Sequence, residues 1–225
     1  MIDIMSEPVP FASLSPAGRD ALLGIAQRRA FAAGGVALAE GARAEAFYAV
    51  LSGQLKMCRL TPSGRNLILS LFGRGDLFGV TPALSGEPCG TEWRAVENSE
   101  CLEVRRADLF ALLERRPELV PEVLRYLTRQ MVECKNCLVE SACSRVESRF
   151  ASLFVRLADQ RGQPGEGGWT IPLRLSRQEL ADLTGTTLET AIRVMSRWRQ
   201  EGRVTTTRAG FVVHDRAGLE TMSWG

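Results

Sequence analysis

Leu175-Ser-Arg-Gln-Glu-Leu-Ala181, followed past Gly185 by Thr187-Leu-Glu-Thr-Ala-Ile-Arg-Val-Met-Ser-Arg-Trp-Arg199, decides how this chain is read. Ser176 with Glu179 three residues on forms a capping box and starts a helix. That helix runs through Leu180, Ala181 and Leu183 and stops at Gly185. A second start lies at Thr186-Thr187, and the longer helix it opens ends near Glu201, before Gly202. Val204-Thr-Thr-Thr207, a turn at Arg208-Ala-Gly210 and Phe211-Val-Val-His214 then make a hairpin. Two helices joined by a tight Gly turn and closed by a hairpin predict a winged helix-turn-helix.

The second helix has two faces. Ala191, Val194, Met195 and Trp198 supply an inward stripe, while Leu188, Glu189, Ile192, Arg193 and Arg197 lean elsewhere. Glu189 and Arg193, four apart, are neighbours on the helix surface. They form either an intrahelical ion pair, with Glu189 closing a capping box on Thr186, or a base-reading pair. In a major groove Arg takes guanine O6 and N7, and Glu accepts from cytosine N4. Residues 190–210 hold five Arg against one acid, Glu201, which favours DNA. Ser176, Arg177 and Gln178 open the preceding helix and suit phosphate contacts. Thr187 and Arg197 complete the expected DNA-binding set.

Working toward the N-terminus, Gln160-Arg-Gly-Gln-Pro-Gly-Glu-Gly-Gly-Trp169 reads as a Gly-rich loop ahead of Ile171 to Leu175. Glu118 to about Gln160 carries few helix breakers. Leu124, Leu127, Met131, Cys134, Leu138 and Ser141 follow a 3-4 spacing along it, a heptad-like seam that predicts pairing with a second copy of the chain. A short helix is expected at 107–115. Before it, residues 31 to about 104 alternate short apolar runs with Gly turns, the pattern of a barrel or sandwich. Ser15 is the expected N-cap of a first helix reaching about Gln27. The fold class is therefore α+β: a β-rich domain at 1–116, a dimerisation helix at 117–146 and a winged helix-turn-helix at 147–225.

The 225 residues are 45% hydrophobic and 24% charged, an ordinary globular composition. No apolar run approaches the roughly 20 residues of a membrane helix, and Met1 to Pro10 lacks the features of a secretory signal. A cytoplasmic protein without a membrane partner is expected. The 28 basic residues are 26 Arg with Lys56 and Lys135, and Arg favours bidentate contacts to phosphate or guanine. No nucleophile–base pair or phosphate loop ahead of a helix is present, so an enzyme is not expected. His214 is the lone histidine and lies in the C-terminal hairpin, which speaks against a haem held by histidine in the N-terminal β domain.

With Phe11-Ala-Ser-Leu-Ser15, Leu51-Ser-Gly53, Gly75-Asp-Leu-Phe-Gly79, Leu175-Ser-Arg-Gln-Glu-Leu-Ala181 and Glu189-Thr190 with Arg193, the chain resembles a CRP/FNR-family transcription regulator along nearly its whole length. The resemblance implies a homodimer with a cyclic-nucleotide-binding-like β-roll, a dimerisation helix and a winged helix that binds palindromic promoter DNA beside RNA polymerase. It implies that Glu189 and Arg193 read a G·C pair in each half-site. Leu188 before the Glu resembles the FNR branch, with TTGAT-like sites, although Ile192 stands where that branch has Ser. Cyclic-nucleotide members follow the Gly turn with an acid and carry Arg-Ser/Thr-Ala for the cyclic phosphate. Here Val80 follows Gly79 and the phosphate segment reads Cys89-Gly-Thr91, so cyclic AMP is not the expected effector.

The six cysteines are Cys58, Cys89, Cys101, Cys134, Cys137 and Cys143. Cys134, Cys137 and Cys143 share the spacing of three iron–sulfur ligands in FNR-type oxygen sensors. The resemblance thus implies an iron–sulfur cluster, of the 4Fe-4S type, with Cys101 as fourth ligand and a response to oxygen or redox state. Helix geometry opposes this. At about 100° per residue Cys143 lies opposite Cys134 and about 13 Å along the axis, so one cluster requires the helix to unwind. A thiol redox switch, including an interchain Cys134 pair, and inert reduced thiols are the alternatives.

Overall fold

The computed structural model describes residues 11, 14–61, 64, 66–143, 145–165 and 167–223; within the helix 120–143, the side chains of 133, 136, 137 and 139–143 are outside the description. Contacts divide the chain into two compact units, 1–132 and 133–225.

The first unit opens with α1 (Pro16–Leu23), N-capped by Ser15, whose hydroxyl accepts from the Gly18 N–H at 3.1 Å. It ends at Gly24, earlier than the sequence suggested. Eight strands follow: β1 (Gln27–Phe31), β2 (Val36–Leu38), β3 (Ala46–Ser52), β4 (Leu55–Leu60), β5 (Asn66–Phe72), β6 (Leu77–Phe78), β7 (Glu92–Ala95) and β8 (Ser99–Arg105). They pair antiparallel in two four-stranded sheets, ordered β1-β8-β3-β6 and β2-β7-β4-β5. Phe47, Val50, Leu55, Phe78, Trp93, Cys101 and Val104 fill the core of this β-roll. A short helix α2 (Val80–Ser85), absent from the sequence reading, follows Gly79, which takes φ 72°. The helix expected at 107–115 is α3 (Arg106–Arg115).

After a 3-10 turn at Pro117–Leu119, α4 (Val120–Cys143) begins. The expected helical run to Gln160 is split. A new helix, α5 (Val146–Arg161), starts after Arg145, whose extended backbone (φ −61°, ψ 158°) interrupts the ladder. The split has a packing cause. α4 has an apolar stripe open to solvent, whereas α5 turns Phe150, Ala151, Phe154, Leu157 and Ala158 into its own core. Leu124, Met131 and Leu138 of the seam are 57%, 55% and 64% exposed, and Cys134 is exposed as well. Leu127 departs from the seam pattern and packs partly against the β-roll core. Ser141 lies among the undescribed side chains.

In the second unit, the stretch expected as a loop contains β9 (Gln163–Gly165) and β10 (Gly168–Ile171). They join β11 (Val204–Thr206) and β12 (Phe211–Val213) in a sheet ordered β11-β12-β10-β9. Of the stretch Ile171 to Leu175, only Ile171 lies in a strand. α6 (Arg177–Thr184), α7 (Leu188–Gln200) and a further helix α8 (Arg216–Ser223) complete the unit. Trp198 packs edge-on against Phe150 and Phe154, and Phe154 against Phe211, so both helices and the wing share one aromatic core.

Candidate nucleic-acid interface

The capping box at Ser176 forms as its sequence requires. The Ser176 hydroxyl accepts from the Glu179 N–H at 3.1 Å, and the Glu179 carboxylate accepts from the Ser176 N–H at 3.0 Å. Gly185 takes the left-handed conformation (φ 63°) that ends α6 and turns the chain into α7. The N-cap of α7 is Thr187, accepting from the Thr190 N–H at 3.3 Å, so the alternative capping box between Thr186 and Glu189 is not formed.

α7 buries Ala191, Val194, Met195 and Trp198, the stripe read from the sequence. Leu188, Glu189, Ile192, Arg193 and Ser196 form its exposed face. Glu189 and Arg193 are not paired with each other, and Arg193 has no ion-pair partner among the described residues. Glu189 sits at the helix N-terminus. Its own backbone N–H and the Thr187 hydroxyl hold its carboxyl below the usual range, so it presents a carboxylate. A guanidinium and a carboxylate not paired with each other, one turn apart on an exposed helix face, are a donor set and an acceptor suited to base edges.

The first turn of α6 is more engaged than expected. Ser176 is occupied by its capping box, and Gln178 donates to Asp182 at 2.8 Å. Arg177 is half-buried; its Nη2 donates to the Thr206 hydroxyl of β11 at 2.8 Å, and desolvation lowers its pKa. It braces α6 to the wing. Arg197 is engaged as well: its guanidinium pairs with Glu147 of α5 and with Glu201 at 3.9 Å, while its side chain stays about half exposed.

The sequence reading missed a groove of about 510 Å³ between the start of α6 and the wing, lined by Arg174, Ser176, Glu179, Thr207 and Arg208 among others. Arg174 and Arg208 are exposed at its edges. The Arg excess over residues 190–210 was the signal for Arg208; Arg174 lay outside that window.

The cysteine expectation fares differently. Cys101 lies in the middle of β8, opposite Arg29 of β1 and Val50 of β3, with no exposed surface. Burial, aided by the Glu100 charge, pushes its thiol up to about 12, the opposite of the thiolate character a ligand needs. α4 is helical through Cys143, which keeps Cys134 and Cys143 about 13 Å apart along the axis. The side chains of Cys137 and Cys143 lie outside the described residues. In this conformation the residues do not fit a single iron–sulfur cluster, and no group of three metal-ligating side chains occurs among the described residues. In the β-roll, Cys89 is buried, its thiol donating to the Thr91 carbonyl at 3.0 Å, and Val80 is buried at the start of α2. No described helix is long and apolar enough to cross a membrane.

Comparison with known proteins agrees with this architecture. Residues 28–116 match the cyclic nucleotide-binding domain family and residues 148–222 the Crp-like helix-turn-helix domain family. The chain is 31% identical over 215 residues to the cyclic AMP receptor protein of Thermus thermophilus, covering 96% of each chain. It is 26% identical over 203 residues to the nitrogen fixation regulation protein FixK of Bradyrhizobium diazoefficiens, covering 88% of this chain and 83% of that one. The structure of FixK2 from Bradyrhizobium japonicum superposes with a TM-score of 0.78 at 19% identity, over 88% of this chain and 97% of that one, a likeness of fold. Two domain matches in this order, and a relative aligned almost end to end, place the β-roll and the winged helix in one lineage: the chain belongs to the CRP/FNR family of DNA-binding transcriptional regulators.

Proposed function

We propose that the chain acts as a cytoplasmic homodimer whose two α7 helices read inverted half-sites in promoter DNA beside RNA polymerase, and whose seam responds to redox state through Cys134. The observation that carries the DNA part is the exposed, mutually unpaired Glu189 and Arg193 on α7. A seam of Leu124, Met131 and Leu138 left open to solvent supports the dimer. Two recognition helices related by a two-fold axis meet successive major grooves, so the half-sites lie about one helical turn apart.

The redox part rests on Cys134, exposed within that seam. In a parallel pair it faces its own copy. Oxidation by a hydroperoxide joins the two sulfurs, with both thiol protons and two electrons leaving to reduce the peroxide to water and an alcohol. An iron–sulfur cluster is not part of this reading, because Cys101 is buried and α4 is unbroken through Cys143. Nor is cyclic AMP, since buried Cys89 stands where the nucleotide-binding pattern has its phosphate Arg.

Selection of duplexes from a random pool, followed by footprinting, tests the DNA part. An inverted repeat with a G·C pair in each half supports it, and recovery without sequence enrichment overturns it. Peroxide treatment read on non-reducing gels tests the redox part. A dimer band lost in Cys134→Ser supports it; a band unchanged in that variant overturns it.

A further inference from the structure

Glu147, in the first turn of α5, touches the recognition helix twice. One carboxylate oxygen accepts from the Trp198 indole N–H at 2.9 Å, and the other pairs with the Arg197 guanidinium. Trp198 and Arg197 are consecutive residues near the end of α7, one inside the core and one outside it. The two contacts differ from the rest of the α5–α7 packing. Trp198 otherwise meets Phe150 and Phe154, with ring centroids 6.1 and 5.9 Å away. Aromatic contact holds the helices together but tolerates small rotations, because apolar attraction is not directional. A carboxylate gripped by an indole N–H and a guanidinium from adjacent residues is directional in both arms.

The second consequence concerns charge. Arg197 follows Arg193 by four residues, hence about 6 Å along the same side of the helix. Arg193 has no ion-pair partner among the described residues, while Arg197 is held by Glu147 and Glu201. The two cations of this helix side are thus treated oppositely: one is exposed and without an ion-pair partner among the described residues, the other is neutralised.

Resting on the DNA-binding reading above, we infer that Glu147 is a positioning residue for α7: it fixes the rotation of the helix through Trp198 and withholds Arg197 from the DNA backbone, so that sequence preference is not diluted by an extra phosphate contact. Glu147→Gln separates the two arms. The amide oxygen still accepts from the indole N–H, but the nearer of the two charges that hold Arg197 is gone.

The test uses full-length protein, a selected inverted-repeat duplex and a scrambled duplex, between 50 and 200 mM salt. Each phosphate neutralised adds about 0.9 to the slope of log affinity against log salt. E147Q is expected to steepen the slope by about 0.9 per protomer and to lower the preference for the selected duplex several-fold. R197Q, which removes the cation and keeps the Trp198 arm, is expected to leave both the slope and the preference near those of the wild type. The double variant E147Q/R197Q is expected to return the slope to that of the wild type. An unchanged slope in E147Q, or equal steepening in the double variant, overturns the inference. A second readout needs no DNA: hydrogen exchange of the Trp198 indole in ¹⁵N-tryptophan-labelled protein. Slow exchange in wild type and E147Q with fast exchange in E147A supports the inference, and fast exchange in the wild type overturns it. Should the wild type lack any preference between the duplexes, the DNA reading fails by itself, and the indole measurement still decides the positioning role.

Discussion

The backbone N–H of Ser15 donates to the carboxylate of Glu122 at 2.9 Å, across 107 positions of sequence. Glu122 thereby ties the start of α1 to the start of α4. The same approach crowds residue 18: a Cβ on Gly18 would lie 2.7 Å from the Glu122 carboxylate and 3.2 Å from Leu119, so the carboxylate would have to shift. Hydrogen bonds from Ser15, with smaller contributions from Arg125 and Arg116, hold the Glu122 carboxyl below the usual range. A carboxyl whose pKa is depressed on folding adds stability above its unfolded pKa, roughly 4.3, and loses it as pH falls through the folded value. The melting temperature of Glu122→Gln should fall below that of the wild type by a few degrees at pH 7. The gap should close as pH drops from about 5 toward 3. A gap constant over that range refutes the assignment.

Base reading by Arg193 has a distinct signature. Arg193→Ala should cost about 1–3 kcal/mol on a duplex with the half-site G·C pair and much less once that pair is changed. Affinities for matched and mismatched duplexes measure this directly. Equal losses on both would mean a phosphate contact.

The seam is best tested where the single chain leaves it open. Leu127 is a poor probe, because it also packs on the β-roll. Leu124→Glu and Leu138→Glu place a charge on exposed positions and so spare the fold of the protomer. Each should raise the dimer dissociation constant about 10- to 100-fold, read by sedimentation, and weaken binding to the inverted repeat in parallel. Monomers that bind the repeat at full affinity would refute the dimer.

The wing depends on Gly210. Its φ is 147°, and a Cβ there would run into the Ile171 carbonyl and lie 2.6 Å from the Leu173 backbone N. Gly210→Ala should destabilise the protein by about 1–3 kcal/mol in urea melts, since backbone at a positive φ cannot yield as a side chain does. Wild-type stability would show that the wing relaxes around the new methyl.

Local signals were the legible ones. The capping box at Ser176, the stop at Gly185 and the stripe of Ala191, Val194, Met195 and Trp198 are short-range patterns, and each is found where the sequence places it. The break between α4 and α5 was not legible, because residues 141–147 contain neither Gly nor Pro. The change of packing partner, from an open seam to the aromatic core around Phe150, is a tertiary fact. The role of Arg197 was hidden for the same reason: helix periodicity relates it to Arg193 and Glu201, while its principal partner, Glu147, belongs to another helix. Spacing likewise marked Cys134, Cys137 and Cys143 as three of a ligand set, while the burial of the implied fourth, Cys101, in the β-roll is a tertiary property.

Ile192 carries the last prediction. It is about half exposed on α7, and Leu188, one turn earlier, is also open to solvent. Large aliphatic side chains flanking Glu189 and Arg193 have no hydrogen-bonding use at base edges. They suit the one apolar group the major groove offers, the thymine methyl. Removing such a methyl from contact forfeits about 0.8 kcal/mol, roughly a fourfold loss of affinity. Replacing each thymine of a selected half-site in turn by deoxyuridine removes only the methyl. One or two positions should show the fourfold loss, and Ile192→Ala should show a similar loss on the unmodified duplex. On the duplex already lacking that methyl, Ile192→Ala should cost little more, because the two changes delete the same contact. Additive losses at every position would mean that Ile192 acts on the helix and not on the base.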